Sequence, residues 1–396
     1  MQKAVLIFAI FLIHGSLNAR QSPHPEQNPA TQNQNPAAPP AIHIPMTADK
    51  WAFPPGTCEF LSYRSVPALH LLTGRDTAVL KDFRFTNGTI EYDIEPQDND
   101  FTGFFFRRED GKESEYFYLR VFAGAIPNIQ TSVQYAPIIG GVNIWNLLPY
   151  DQGNAKFAKG QWNHVKLVVS GAQMLVYVND LRHPALEIAQ LEGNTKTGSL
   201  GFDGKVIIAN MVVTPDATEG LSPVAGFDPF YSDPRYLRQW SVTQPTPFPK
   251  GRELTDSDLP KQGTQWTRIM AGRLGLVNLT RLYGNSESRR LVWLKCRLHA
   301  PEAQNRKVDF GFTNEVWVFL NGKMLMVDKN LFDELLRKQP KARCSLENTS
   351  FTLPLQAGDN EIMIGLANDF YGWGIIARLD IMEGIEVLPP PGGFIE

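Results

Sequence analysis

The stretch VWVFLNGKMLMV, Val316 to Val327, is apolar at consecutive positions on both sides of an Asn-Gly pair. Asn321-Gly322 supplies the two positive-φ positions of a two-residue type I′ turn, so the stretch reads as a β-hairpin. Alternation from that turn pairs Val318 with Leu325 and Val316 with Val327 on one face. On the other face it pairs Phe319 with Met324 and Trp317 with Met326. A hairpin that is apolar on both faces needs cover on both faces. It therefore reads as scaffold inside a layered β structure, with Trp317 as the exception best suited to a ligand. A second stretch, MLVYVNDLRH (Met174 to His183), has nearly the same shape and predicts another tight turn between core strands.

The segments around these hairpins have the same character. From Trp51 to about Pro215, short alternating runs are separated by turn residues. Between Thr89 and Glu95, Ile90, Tyr92 and Ile94 face one way, and Glu91, Asp93 and Glu95 the other. GFFFRRED, EYFYLRV, WNHVKLVVSG, GSLGFDG and VIIANMVVTP follow, with no convincing helical period. A Pro/Gly/Asp-rich joint, Ala217 to Pro234, leads to a second block of similar runs. NLFDELLRKQ, Asn330 to Gln339, is the one helix candidate. The predicted fold class is all-β: two antiparallel β-sandwich (jelly-roll) domains in tandem. The boundaries are 46–216 for the first, 217–234 for the linker and 235–396 for the second.

The bulk numbers agree with two domains. The chain has 396 residues, more than one core usually serves. Its 38 basic and 41 acidic side chains give a net charge of −3, which lacks the basic excess that nucleic acid or an anionic membrane surface requires. At the N-terminus, Lys3 precedes an apolar run from Ala4 to Ile13 and then Leu17-Asn-Ala19. This is the order of a secretory signal peptide over 1–19, cleaved after Ala19. Residues 20–45 are rich in Pro, Asn and Gln and read as a disordered spacer. No second long apolar stretch exists, so membrane insertion is not expected. The expected location is exported: periplasm, cell envelope or outside the cell. Three cysteines, Cys58, Cys296 and Cys344, leave at least one thiol without an intrachain partner. No CxxC or His-rich spacing suggests a metal, and no cofactor motif occurs. Asp98-Asn-Asp100 offers carboxylates for a structural calcium ion, with a plain turn as the alternative reading.

Two resemblances add to this. NGTIEYDIEP, GFFFRRED, EYFYLRV, QWNHVKLVVSGAQMLVYVND and GSLGFDG resemble the concanavalin A-like, laminin-G-like sandwich family over about Phe83 to Pro215. QWSVTQPTPF, VWVFLNGKML and LPLQAGDNEIMIGLANDFYGWGIIARL resemble the galactose-binding-like jelly roll over about Phe227 to Val387. Such domains occur in secreted carbohydrate-active proteins and beside glycoside hydrolases. The resemblance implies sugar binding, or a bracing role for the second block.

Two strand faces are candidates for chemistry. Glu91, Asp93 and Glu95 place three carboxylates on one strand face. Paired carboxylates are what a retaining glycosidase needs, and the spacing is similar to that of family 16 glycoside hydrolases. In that family the catalytic strand follows one resembling NGTIEYDI. The strand at that place here, EYFYLRV, offers Tyr116, Tyr118 and Arg120 instead. The carboxylates therefore read first as a solvated or Arg-paired outer face. The second face is Tyr116, Tyr118 and Arg120, opposite core-facing Phe117, Leu119 and Val121, with Phe105 and Arg107 sharing a parity on GFFFRRED. Placed beside Glu91 and Asp93, these would combine rings, guanidinium and carboxylate, which is how sugars are held. Gln134, Tyr135, Asn143 and Trp145 are expected at its rim. In the second block, Tyr371 and Trp373 offer a stacking platform, although Trp373 between two glycines also reads as a plug. The leading expectation is an exported carbohydrate- or polysaccharide-binding protein without catalysis. The alternatives are a glycoside hydrolase using carboxylates of the first sandwich, and a structural or adhesion protein with no sugar ligand.

Overall fold

Alternating apolar and polar residues make a strand bury one face, and two such sheets stacked on their apolar faces form a sandwich. The computed structural model describes residues 40–332, 335–390 and 393–394. The expected signal segment, 1–19, and most of the spacer lie outside the described residues. The spacer's last residues, however, are built into the fold. Ile42–His43 pairs with the strand Val206–Pro215, and Ile44 is buried in the core. The apolar Ile-His-Ile-Pro run supplies the side chain that the polar sequence before it lacks.

The chain is almost entirely β, and residues Pro39–Glu396 form one compact unit. In the first sandwich, one sheet carries Gly88–Pro96 between Asn163–Ser170 and Val206–Pro215. The facing sheet carries Phe101–Arg108 between Glu115–Arg120 and Ser199–Asp203, with Val133–Tyr135 beyond Glu115–Arg120. Ile90, Tyr92, Ile94, Phe104, Phe106, Phe117 and Leu119 fill the space between them. Tyr92 meets Phe202 edge-on, with ring centroids 4.9 Å apart, a favoured aromatic geometry. Each such side chain contributes about 1.5–3 kcal/mol by leaving water.

The second sandwich packs a sheet centred on Arg290–Ala300, Gly358–Asn368 and Asn314–Leu320 against Leu276–Asn278, Gly374–Leu379, Gln304–Phe312 and Thr349–Leu355. Among the described residues, strand pairing is antiparallel except for Thr267–Met270 with Gly393–Phe394. The cores are not sealed from each other. Tyr236, Cys344 and Ile376 belong to the first core, although their sequence positions follow the joint. The joint itself packs on the first sandwich, where the Gly226 N–H donates to the Ala189 carbonyl at 2.7 Å.

The Val316–Val327 hairpin turns at Asn321 and Gly322, with φ of 50° and 81° as a type I′ turn requires. Both faces of its first strand are covered. Val316, Val318 and Leu320 enter the main core of the second sandwich, while Trp317 and Phe319 lie under Phe248 and Leu254. Trp317 is fully buried, so it is scaffold. Its register differs from the expected one beyond the first pair. Phe319 opposes Met324, but Val318 then opposes Met326, Trp317 opposes Val327 and Val316 opposes Asp328. A bulge at Leu325 shifts the rest by one residue. The MLVYVND stretch also folds differently. Its strand, Gln173–Val178, is joined to Asn163–Ser170 by the two residues Gly171-Ala172, so Asn179-Asp180 starts a loop instead.

No helix forms over the described part of Asn330–Gln339. Asn330 ends the strand Lys323–Asn330, and its side-chain amide donates to the Phe312 and Arg343 carbonyls at 2.8 and 3.3 Å. These bonds tie the two ends of the segment to the sheet. The described cysteines are all free. Cys296 sits in the second core and Cys344 in the first, so these two do not pair. Among the described residues, no helix is long and apolar enough to cross a membrane.

Candidate functional site

The two candidate faces of the first sandwich lie on different sheets, so the arrangement that would put rings, guanidinium and carboxylate on one face is not formed. Glu91 and Asp93 stand on the outer side of one sheet, and Tyr116, Tyr118 and Arg120 on the outer side of the other. The carboxylates are closed by neighbours. His164 Nδ1 is 2.8 Å from Asp93 and its Nε2 is 3.2 Å from Glu91. The Asn210 amide donates to Asp93 at 2.7 Å. Glu95 is buried and accepts from the Tyr63 hydroxyl at 2.8 Å, with Arg64 at 3.2 Å. The partners are His, Asn and Tyr as well as Arg. Burial pushes the Asp93 carboxyl up, but the hydrogen bonds from His164 and Asn210 hold it below the usual carboxylate range. The hydrogen bond to Asp93, with that to Glu91, raises His164 against its burial.

On the other sheet, alternation along Glu115–Arg120 turns Tyr116 and Tyr118 outward. Phe105 stacks on Tyr116 at 4.3 Å, and Tyr116 on Tyr118 at 5.4 Å. Gly103 makes room for this ladder, because a Cβ there would lie 2.2 Å from the Tyr116 hydroxyl. That hydroxyl donates to both oxygens of Asp203, at 2.9 and 3.0 Å. Burial pushes the Asp203 carboxyl up to about 6, against the lowering effect of the Tyr116 bond. The Tyr118 hydroxyl donates to Gln134 Oε1 at 2.8 Å. Arg120 donates to the same oxygen, to Tyr118 Oη at 3.1 Å and to the Thr131 carbonyl at 2.5 Å. Gln134 is fully buried, and its amide donates to the Trp145 carbonyl at 3.0 Å, which fixes the loop that presents the indole.

Arg107 does not join this face. Its φ of 48° breaks the alternation, and the buried guanidinium donates to the Thr86 carbonyl, Asn87 Oδ1 and the Gly171 carbonyl instead. Tyr135 also faces inward, donating to Glu115 at 2.5 Å.

The second sandwich closes over the ladder. The Asn146 amide and the Gly372 backbone exchange two hydrogen bonds, at 3.0 and 2.8 Å, which pins the loop Asn368–Gly374 against the first sandwich. Gly372 is required there, since a Cβ would lie 2.6 Å from Asn146 Oδ1. Tyr371 meets Trp145 edge-on at 5.6 Å, and Phe332 meets the same indole at 5.5 Å. Phe370 stacks on Phe332 at 5.6 Å. Trp373 does not contribute. It is fully buried in the second core beneath Arg290, the plug of the two sequence readings.

The result is an open cleft of about 730 Å³ between the sandwiches. Tyr116, Tyr118, Arg120, Trp145 and Tyr371 line it, while Gln134 braces it from behind. Phe101, Phe122, Phe332, Phe370 and Tyr371 are partly exposed rings, and all five face this cleft. Exposed aromatic surface concentrated in one concave place marks a binding site. Arg337, Lys341 and Arg343, all absent from the sequence-level candidates, complete the lining. Asn143 lies at the rim as expected. Among the described residues, no Asp or Glu lines it.

A second cavity of about 520 Å³ lies nearby, with Asp151, Glu192, Arg273 and Arg281 in its wall. Burial, with Glu192 adding repulsion, pushes the Asp151 carboxyl up to about 7. Glu192 is paired with Arg281 at 3.0 Å. In the loop 98–100, the Asp100 N–H donates to Asp98 Oδ1 at 3.0 Å, an Asx turn. Among the described residues, no group of three or more His, Cys, Asp or Glu side chains is placed to hold a metal ion.

No family model matches the chain, and no curated protein matches it. Among solved structures, a carbohydrate-binding module of Bacillus subtilis is similar at 12% identity, covering 41% of this chain and 95% of its own, with a TM-score of 0.31. A Bacillus licheniformis β-glucanase is similar at 14% identity, covering 44% and 98%, also at 0.31. A galectin of Caenorhabditis elegans is similar at 17% identity, covering 42% and 97%, at 0.26. Likenesses of this size leave the ligand to be argued from the chain's own residues.

Proposed function

We propose that the protein binds a carbohydrate in the cleft between its sandwiches, without catalysis of its own, after export by its N-terminal segment. The observation that carries this reading is the cleft wall itself. Partly exposed aromatic rings from both sandwiches face one concave space beside guanidinium groups. Sugar rings stack their C–H faces on aromatic planes, and their hydroxyls pair with planar polar groups. The second sandwich is then half of the site, rather than an accessory module. Titration of the full-length protein against a panel of polysaccharides tests this. Saturable binding that Tyr371→Ala weakens supports the reading, and no binding across a broad panel sinks it.

A hydrolase reading is favoured by one observation, the Asp151 and Glu192 carboxyls in the wall of the second cavity, both raised by burial as a general acid needs. It expects sugar release that disappears in Asp151→Asn. Full activity in that variant removes the pair, and Glu91→Gln tests the strand carboxylates in the same assay.

A further inference from the structure

We propose that the ligand of this cleft is an acidic saccharide, with its carboxylate or sulfate ester seated between Arg120 and Arg343. This rests on the carbohydrate reading above and narrows it. Both guanidinium groups line the cleft, and both side chains belong to residues that are 6% exposed. Among the described residues, neither forms an ion pair. Arg120 is held by the neutral oxygens of Tyr118, Gln134 and Thr131. Arg343 lies over the Trp145 ring at 4.9 Å and donates to Gln152 Oε1 at 3.1 Å, and among the described residues its buried Nε has no hydrogen-bond partner.

Two like charges buried side by side repel each other, and each loses hydration. Burial, then the neighbouring Arg120, push the Arg343 guanidinium down to about 10, so it is still charged at neutral pH. Other buried arginines are covered in two ways: Arg107 by neutral oxygens, as Arg120 is, and Arg289 by a carboxylate. Arg289, 7% exposed at its side chain, meets Glu315 at 2.9 Å. Among the described residues, no carboxylate lining the cleft supplies the compensating charge, and Lys341 adds a further positive charge at the wall. An oxyanion of the ligand would supply it with charge-assisted hydrogen bonds. Trp145 beside Arg343, and Tyr371 against Trp145, put a stacking surface next to that anion seat. An acidic sugar unit presents this pairing: an apolar ring face with an oxyanion at its edge.

The test is calorimetric titration of the full-length protein with polygalacturonate, dextran sulfate and uncharged dextran. At least one acidic polymer is expected to bind about tenfold or more tightly than dextran, and the better of the two identifies carboxylate or sulfate. Arg343→Met is expected to weaken that binding by at least about tenfold and to shrink the preference for the acidic polymer over dextran. Should Arg343→Met fail to fold, the wild-type salt dependence decides: acidic-polymer affinity falls steeply between roughly 50 and 500 mM salt. Binding of dextran equal to or tighter than both acidic polymers overturns the acidic assignment and leaves the carbohydrate reading standing. Salt-insensitive binding overturns the assignment as well. No binding of these polymers or of any polysaccharide in a broad panel overturns both.

Discussion

The first sandwich has two polar outer faces built by the same rule, and the Tyr116–Arg120 face is the one that lines a cleft. On Gly88–Pro96 the carboxylates are answered locally, by His164 on the adjacent strand and by Asn210 and Arg64. On Glu115–Arg120 the tyrosines and Arg120 are answered by a buried glutamine, by one another and then by a second sandwich that stops short of them. A polar strand face becomes a candidate site through what covers it and how closely. Its own residue types do not decide the matter.

The largest expected effect breaks the pairing of Tyr371 with Trp373 as one platform. Trp373→Ala should destabilise the protein by about 3–5 kcal/mol, as emptying a buried indole site does, read by thermal or denaturant unfolding. A change under 1 kcal/mol would move Trp373 out of the core, against its full burial.

The next test contrasts two carboxylates by the sign of their pH dependence. Glu115 is fully buried, and burial pushes it up to about 7, against the Tyr135 bond and Arg107. Its folded value is raised above 4.5, so its contribution is fully present below that pH and is lost as pH rises through 7. The loss is on the order of 3 kcal/mol, and Glu115→Gln should flatten the stability profile across that window. Asp93 behaves oppositely. Its value is lowered, so its smaller contribution is present above about 4 and is lost on further acidification.

Tyr371→Ala should cost about 1–2 kcal/mol of binding with little change in unfolding midpoint, because the ring is 46% exposed. Smallest of all, His164→Ala should leave ligand affinity unchanged and cost well under about 1 kcal/mol of stability. His164 is raised, so that small cost should appear at acidic pH and fade as pH rises above about 6.5. Loss of binding in His164→Ala would reopen the carboxylate face as a site.

Local chemistry was legible in the chain, and non-local pairing was not. The Asn321-Gly322 turn, the inward parity of Ile90, Tyr92, Phe117 and Leu119, and the outward parity of Tyr116 and Tyr118 follow from the backbone period of two. The bulge at Leu325 left no signal in an unbroken apolar run. Arg107 was misplaced because one positive φ reverses a parity. The helix pattern of Asn330–Gln339 was overruled by bonds from Asn330 to distant carbonyls. Arg337, Lys341 and Arg343 line the cleft, and a helical reading of this segment gives no signal of that. Strand alternation says nothing about which sheet a strand joins. The two polar faces have a core between them, and no residue pattern along the chain signals it.

The reciprocal Asn146–Gly372 bonds have a kinetic consequence. They staple the loop bearing Tyr371 to the loop bearing Trp145, so opposite banks of the cleft are spaced before any ligand arrives. A preformed seat loses little entropy on occupancy. Association should then proceed in one step, with rates linear in ligand concentration and no slow isomerisation phase. Residence time should be governed by how quickly rings and guanidinium groups let go.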